Sequence, residues 1–192
     1  QLPLDLIELI EFSKTTFGDK LTQASVSDEV LDFMLGRFRA WYEGEGFGVD
    51  VIQAVLARRP TNPADFDRRV KAVAEFRKLD AALALAAANK RVANILAKVE
   101  GDIADSVNTA LLQEDAEQAL HRAIVAEQAH QAGVQSYAEG LAHLAAMRDV
   151  IDTFFDKVMV NADDAAVRSN RQALLKQLRE LFLQVADISV LQ

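Results

Sequence analysis

The apolar positions of this 192-residue chain recur at helical spacing almost from end to end. Apolar residues repeated every three or four positions indicate amphipathic helices, and no stretch shows the sustained alternation of a half-buried strand. The clearest case is residues 80–98, whose apolar residues fall within an arc of about 100° on a helical wheel. A polar set lies nearly opposite on that wheel: Lys90, Arg91, Asn94 and Lys98.

Capping residues and glycines divide this pattern into separate helices. Asn62 followed by Pro63 is a strong start signal, and Asp164 stands where a helix N-cap belongs. The predicted helices span residues 4–17, 27–43, 50–59, 62–78, 80–98, 105–112, 115–131, 136–147, 151–158 and 164–186. The sequence therefore predicts an all-α fold. The break between Pro60 and Pro63 separates a helical lead-in, residues 1–60, from a bundle, residues 61–192.

Three of the predicted helices have a clear apolar face. In the second helix this face comprises Val30, Phe33, Met34, Phe38 and Trp41. In the fourth helix the inward residues are Phe66, Val70 and Val73. In the last helix they are Val167, Leu174, Leu178, Leu181, Phe182 and Val185.

The charge distribution is uneven although the formal net charge is -8. Residues 58–98 carry ten Lys or Arg against four Asp or Glu, a local charge of +6 within acidic flanks. Such a basic island is a candidate contact surface for a polyanion, and ordinary solvated helix faces are an equally good interpretation of charge alone. The helix that begins at Asn62 contributes an exposed row to this island: Arg68, Lys71, Glu75 and Lys78.

The chain lacks the residue patterns of a catalytic or metal centre. It has no cysteine, and Gly44, Gly46 and Gly48 follow a helix rather than the strand of a phosphate-binding loop. The three histidines, His121, His130 and His143, show no i, i+4 pairing and no evident carboxylate partner, so we interpret them as surface or interface residues. We therefore expect no catalytic residue, no bound cofactor and no metal.

Arg171 is unusual because it falls within the apolar arc of the last helix. A guanidinium in such a place must pair with a carboxylate or face a ligand. We expect an ion pair with an acid such as Asp152 or Asp156, in preference to contact with RNA.

The chain begins at Gln1 and shows neither a signal peptide nor an apolar segment long enough to cross a bilayer. We expect a fragment of a longer cytoplasmic protein.

Several segments together resemble one known family. The stretch DTFFDKVMVNADDAAVRSNRQALL from Asp152, with VADIS from Val185, resembles the C-terminus of glycyl-tRNA synthetase β subunits. AAANKRVANIL from Ala86, LPLDL from Leu2, Phe38 and DVIQAVL from Asp50 are also similar to that family. The last helices more distantly resemble the DALR-type anticodon-binding bundle of arginyl-tRNA synthetases. Val150 departs from the pattern, since the family has proline there.

This resemblance implies a fold and a function. It implies a DALR-type helical bundle with a short helical lead-in, which reads the anticodon stem-loop of tRNA-Gly for glycine–tRNA ligation. It implies as partners the rest of the β subunit and the α subunit of a heterotetramer, with ATP and Mg²⁺ used by the parent enzyme, and no DNA or membrane. For tRNA contact we expect Lys90, Arg91, Asn94 and Lys98, with Arg68, Lys71 and Lys78 beside them, and Arg168, Asn170 and Arg179 as second choices.

Two alternatives remain open from the sequence. A helical scaffold that holds subunits together without touching tRNA would be favoured by exposed apolar residues near Trp41, Tyr42 and Phe47. Each asparagine in the expected set, and Asn89, could instead cap or cross-link helices. An arginyl-type parent enzyme is disfavoured by the Asn89–Arg91 block and by the segment that starts at Leu2.

Overall fold

The computed structural model describes residues 4–131, 133 and 136–191, so Leu2 and Pro3 of the first resembling segment lie outside the described part. Within these ranges every regular element is helical, which confirms the predicted all-α fold. The α-helices are α1 (Leu6–Thr15), α2 (Val26–Gly44), α3 (Val49–Leu56), α4 (Pro63–Phe76), α5 (Ala82–Leu96), α6 (Asp115–Gln131), α7 (Tyr137–Ala145), α8 (Arg148–Lys157) and α9 (Ala165–Leu183). None of these helices has the length and apolar character needed to cross a membrane.

The two strongest start signals are confirmed by the hydrogen bonds at the helix ends. The side chain of Asn62 accepts from the amide of Asp65 (2.9 Å) at the start of α4, with Pro63 at the first helical position. Asp164 accepts from the amides of Ala166 (2.8 Å) and Val167 (3.0 Å) at the start of α9. These oxygens satisfy amides that have no partner within the helix.

The predicted helix at residues 105–112 is wrong. This segment is irregular apart from one short 3-10 turn, Thr109–Leu111. Side chains of α9 hold its backbone: Nε2 of Gln177 donates to the carbonyl oxygen of Asp105 (2.7 Å), and Asn170 bonds the backbone of Asn108. Backbone groups that bond to side chains of another helix do not need helical hydrogen bonds of their own.

Helix α9 forms the centre of the fold, since it packs against α5, α6 and α7. The predicted inward residues of α9 and α4 are all buried, which confirms both faces. Helix α8 packs between α5 and α6, whereas α4 contacts α7 and α3. The last short 3-10 turn, Ile188–Val190, lies against α5 and α3.

Helix α2 presents part of its predicted apolar face to solvent. The buried residues of α2 are Leu31 and Leu35, with Met34 and Phe38 partly buried. Phe33 and Trp41 are 69% and 64% exposed, and Val30 is also exposed. These three residues stay exposed because the helix is apolar over an arc wider than the surface that α1 and α3 cover.

Arg171 is buried and paired, as expected, but not with Asp152 or Asp156. Its Nε donates to Oε1 of Glu117 on α6 (2.7 Å), its Nη2 to Oε2 of Glu117 (3.2 Å), and its Nη1 to the carbonyl oxygen of Met159 (2.8 Å). Asp152 instead lies on the surface, where it pairs with Arg148. The expected partners were wrong because α9 turns this side chain toward α6 rather than α8.

Arg69 ties three parts of the fold together. Its Nε donates to Asp65 on α4 (2.5 Å), its Nη2 to the hydroxyl of Tyr137 on α7 (2.8 Å), and its Nη1 to the carbonyl oxygen of Val185 after α9 (2.7 Å). The Tyr137 hydroxyl in turn donates to Asp65 (2.8 Å). These contacts fix how α4 sits on the rest of the bundle.

The lead-in and the bundle share one core. The amide of Asp187 donates to the carbonyl oxygen of Ala54 on α3 (2.9 Å), and the amide of Leu6 donates to that of Thr61 (2.8 Å). The division at residue 60 stays a prediction about domains.

Candidate nucleic-acid interface

An open groove with a volume of about 940 Å³ runs between α5 and α9. We call it the α5/α9 groove. Five of the ten residues predicted to contact tRNA line it: Lys90, Arg91, Asn94 and Lys98 from the first choices, and Arg168 from the second choices. Sequence patterns on two separate helices therefore meet at one surface, with α5 and the residues after it as one wall and the first half of α9 as the other.

Helix α5 exposes its polar arc because the opposite arc is buried in the core. Leu85, Ala86 and Val92 are buried, whereas all four members of the polar set are exposed. Asn89 is buried and donates to the carbonyl oxygen of Leu85 (3.1 Å), so it serves the helix itself. Asn94 is exposed and free to contact a ligand.

Arg168 on α9 is held in place by the loop before the helix. Its Nη1 donates to the carbonyl oxygens of Ala162 (2.6 Å) and Asp163 (3.3 Å). The side chain is partly buried and still borders the groove. Its charge therefore has a fixed position at the rim.

The cations on the α5 side have no carboxylate partner among the described residues. Lys90 and Lys98 make neither an ion pair nor a side-chain hydrogen bond there, and Arg91 stacks its guanidinium 4.4 Å from the centroid of the Phe155 ring. Two acids also line the groove, Glu100 and Asp102. Four cations against two carboxylates leave a locally positive surface on a chain that is acidic overall, and such a surface attracts polyanions.

The other three first choices lie elsewhere. Arg68 and Lys71 border a separate cleft beside α7, and Lys78 lies in a third near the end of α2. Each pairs with a carboxylate on its own segment: Arg68 with Asp65 (3.0 Å), Lys71 with Asp67 (2.7 Å) and Lys78 with Glu75 (2.7 Å). They are exposed, as predicted, but they do not share the groove with Lys90 and Arg91.

Two of the second choices serve the fold. Asn170 accepts from the amide of Asn108 (2.8 Å) and donates to its carbonyl oxygen (3.0 Å), which fastens the irregular segment to α9. Arg179 donates to Asp187 (2.8 Å) near the end of the chain. The interpretation of asparagine as a helix cross-link is thus correct for Asn170.

The sequence reasoning missed several polar groove residues. Asn161, Ser169 and Gln172 line the wall opposite Lys90, and Phe155 supports Arg91 from below. A signal was present, because Ala165, Arg168 and Gln172 follow each other at helical spacing on the less buried side of α9. Which other helix that side faces is a tertiary fact that the spacing does not contain.

Both walls of the groove lie within a known family pattern. The family model described as "DALR anticodon binding domain" matches residues 85–189, from the first turn of α5 to the final 3-10 turn. The chain belongs to the DALR anticodon-binding domain family. The match covers more than half of the chain and includes seven of the ten residues predicted to contact tRNA.

Two relatives are similar to the chain over nearly its whole length, beyond the part that the family model matches. The chain is similar to the protein named "Glycine--tRNA ligase beta subunit" of Aliivibrio fischeri (strain MJ11), 59% identical over 192 residues and 98% of the chain. It is similar to the protein of the same name from Actinobacillus pleuropneumoniae serotype 3 (strain JL03), 61% identical over 194 residues and 100% of the chain. The chain spans about 28% of the length of each of these relatives.

Proposed function

We propose that this chain recognises the anticodon arm of tRNA-Gly as a part of a glycine–tRNA ligase beta subunit. The observation that carries the proposal is the α5/α9 groove, where Lys90, Arg91 and Lys98 lack carboxylate partners among the residues described. Family membership and the names of the two relatives support it independently.

The side chains of the groove suit the bases of a glycine anticodon. Glycine codons begin with two guanines, so the anticodon offers two cytosines in a single-stranded loop, where proteins stack the bases and bond their edges. Cytosine N3 and O2 accept hydrogen bonds, and its N4 donates. Asn94 supplies a donor, and Glu100 or Asp102 supplies an acceptor. Lys90, Arg91 and Lys98 then neutralise phosphates.

The row on α4 has a lesser role in this proposal. Arg68, Lys71 and Lys78 face clefts outside the groove, so they would contact the anticodon stem rather than its bases. A phosphate there must compete with the carboxylates that already pair with these cations. We therefore expect a smaller loss of tRNA affinity from changes in this row.

The reaction of the parent enzyme is part of the proposal. Such a ligase joins glycine to tRNA with ATP and Mg²⁺, together with an α subunit in a heterotetramer and in the cytoplasm. The described residues supply no phosphate loop, since Gly44 ends α2 and Gly46 and Gly48 form the turn before α3. We place ATP binding outside this chain.

Charge reversal in the groove tests the proposal. Lys90→Glu with Arg91→Glu should weaken binding of tRNA-Gly at low salt by roughly tenfold or more, because charge-assisted contacts contribute about 1.5–3 kcal/mol each. A filter-binding or calorimetric titration measures the affinity, and circular dichroism checks helicity. The slope of log affinity against log salt should also become shallower.

The matched control changes the same number of charges on another helix. Arg37→Glu with Arg39→Glu alters exposed residues of α2 that do not line the groove, and it should lower tRNA affinity much less. A tRNA-Gly whose anticodon cytosines are replaced should bind the unmodified chain more weakly. Equal affinities for groove variant, control and unmodified chain would contradict the proposal.

A second candidate function is docking of another subunit or domain without RNA contact. The observation that favours it is the exposure of Phe33 and Trp41, which fall with Val30 on one side of α2. Tyr42 and Phe47, which the sequence also suggested, pack against the core instead. Exposed aromatic residues on one helix face are typical of protein contacts.

Phe33→Ser with Trp41→Ser separates the two candidates. If α2 serves docking, this variant should lose affinity for the remainder of the ligase, supplied as a separate polypeptide, and keep its affinity for tRNA. Analytical ultracentrifugation measures the first quantity and filter binding the second. The groove variant should show the opposite pattern.

A further inference from the structure

Two histidines and a glutamate converge where the end of α6 meets α7. The imidazole rings of His130 and His143 pack against each other in a tilted arrangement, with centroids 3.7 Å apart and planes inclined by 34°. Glu139 precedes His143 by four residues on α7, so both side chains lie on the same face of that helix. One ligand atom from each of His130, Glu139 and His143 lies within 4.8 Å of the other two.

The spacing along the chain conceals this arrangement. Glu139 and His143 form an i, i+4 pair, and His130 comes from the preceding helix. The sequence interpretation that the histidines have no carboxylate partner was wrong for His143, because Glu139 lies one turn before it on the same helix face. Helix α7 turns back against α6 and brings the three groups together.

Unpartnered polar atoms mark the same end of α6. Nε2 of His130 and Oε1 of Gln131 are enclosed and have no hydrogen-bond partner among the described residues, and the same holds for Oε1 of Glu127, one turn earlier. Glu127 is itself 7% exposed. Buried polar atoms nearly always have a partner, so three such atoms within five residues indicate a site that takes a polar or charged ligand.

We propose that His130, Glu139 and His143 bind a divalent transition-metal ion of the Zn²⁺ type. Two imidazole nitrogens and one carboxylate oxygen form a known ligand set for Zn²⁺, with water in the fourth position. Hard ions such as Mg²⁺ prefer oxygen ligands alone, so this set selects against them. Tetrahedral ligand atoms about 2.0–2.1 Å from the ion lie roughly 3.3 Å from each other, which small rotations of the side chains reach from the present geometry.

The ion has access to the site and a structural effect. Glu139 and His143 are exposed and His130 is partly buried, so the ion can enter from solvent. Once bound, it fastens the C-terminal end of α6 to α7. The site is separate from the α5/α9 groove, and its proposal does not rest on tRNA binding.

The test uses the purified chain without a histidine tag, treated with chelator and titrated with Zn²⁺, Co²⁺ or Mg²⁺. We expect one Zn²⁺ per chain by calorimetry, a rise in Tm with Zn²⁺ but not with Mg²⁺, and visible absorption bands from bound Co²⁺. His143→Ala should weaken Zn²⁺ binding by roughly tenfold or more, and Glu139→Gln by a smaller factor.

His121→Ala is the matched control, since His121 also lies on α6 but outside the cluster. It should bind Zn²⁺ like the unmodified chain. The proposal is overturned if the unmodified chain does not bind Zn²⁺, if His143→Ala binds as tightly as His121→Ala, or if Mg²⁺ binds as well as Zn²⁺. Because His143 and Glu139 are exposed, both variants should fold, and circular dichroism verifies this.

Discussion

The guanidinium of Arg171 on α9 and the carboxylate of Glu117 on α6 form a two-point ion pair inside the core. The side chains are 6% and 0% exposed. Oε2 of Glu117 also accepts from the amides of Gln113 (2.9 Å) and Glu114 (2.8 Å) just before α6. One carboxylate therefore links α6 to α9 and also bonds the residues that precede α6. Removing either partner leaves an uncompensated buried charge, which costs more than the pair itself contributes.

Arg171→Met should therefore lower the free energy of unfolding by about 3–5 kcal/mol, because Glu117 stays buried without its partner. Urea denaturation followed by circular dichroism measures the change. Arg148→Met, which breaks the exposed pair with Asp152, is the control and should cost less than about 1 kcal/mol. Similar losses in both variants would contradict this account of the buried pair.

The stability of the chain should fall in acid partly through Glu117. Burial raises the pKa of Glu117, but the hydrogen bonds from Arg171 and from the amides of Glu114 and Gln113 outweigh it and hold the pKa below its ordinary value. The unfolded chain then binds the proton more readily, so the contribution of Glu117 is complete above about pH 4.3 and is lost as pH falls through the lowered pKa. Urea unfolding at several pH values measures this loss.

Glu117→Gln isolates that contribution. The variant should be less stable at neutral pH, and its stability should decline less steeply than that of the unmodified chain below about pH 4.3. Other carboxylates titrate in both proteins, so the difference between the two curves belongs to Glu117. Parallel curves would show that Glu117 does not titrate differently in the folded and unfolded chain.

Arg91 should contribute to tRNA binding through its shape as well as its charge. Arg91→Lys keeps the charge but loses the planar group stacked on Phe155, so tRNA affinity should fall by about 0.5–1 kcal/mol with an unchanged salt slope. Arg91→Gln removes the charge and should also reduce the magnitude of that slope by about 1. Binding titrations at several salt concentrations distinguish the variants, and identical slopes for both would exclude a phosphate contact by Arg91.

Asp164 should stabilise α9 as its N-cap. Asp164→Ala removes the acceptor for the amides of Ala166 and Val167 and should cost about 0.5–2 kcal/mol. Asp163→Ala changes the neighbouring exposed acid, whose side chain caps no amide in the described structure, and it should cost much less. Thermal unfolding of both variants makes the comparison, and equal losses would mean that charge near the helix start matters rather than capping.

Local signals explain which helices were predicted well. Helix α6 begins and ends where the sequence indicated, at Asp115 and Gln131, because acidic residues precede its apolar repeat and Gly133 follows it. The helix predicted at residues 105–112 was wrong because the backbone there is bonded by Asn170 and Gln177 of α9, which are distant along the chain. Val150 stands in the first turn of α8, where proline is also tolerated, so its departure from the resembling family leaves the helix start intact.

The candidate site was also predicted only where its residues depend on the pattern of a single helix. The wheel of α5 identified one wall correctly, since exposure follows from the buried arc of the same helix. The other wall, the partner of Arg171 and the meeting of His130 with His143 each depend on which helices pack together. Periodicity within one helix carries no information on that choice. The exposed side of α2 shows the same limit, because an apolar pattern alone does not say whether another helix covers that side.

The side chain of Arg168 has less conformational freedom than the lysines of the groove. Two backbone carbonyls already orient its guanidinium, so an incoming anion finds a donor that loses little rotamer entropy on binding. Lys90 and Lys98 keep flexible stems that can follow an irregular backbone. In the proposed complex the groove therefore combines one fixed cation, Arg168, with flexible lysines. Arg168 would set the position of the RNA loop, and the lysines would adapt to the rest of it.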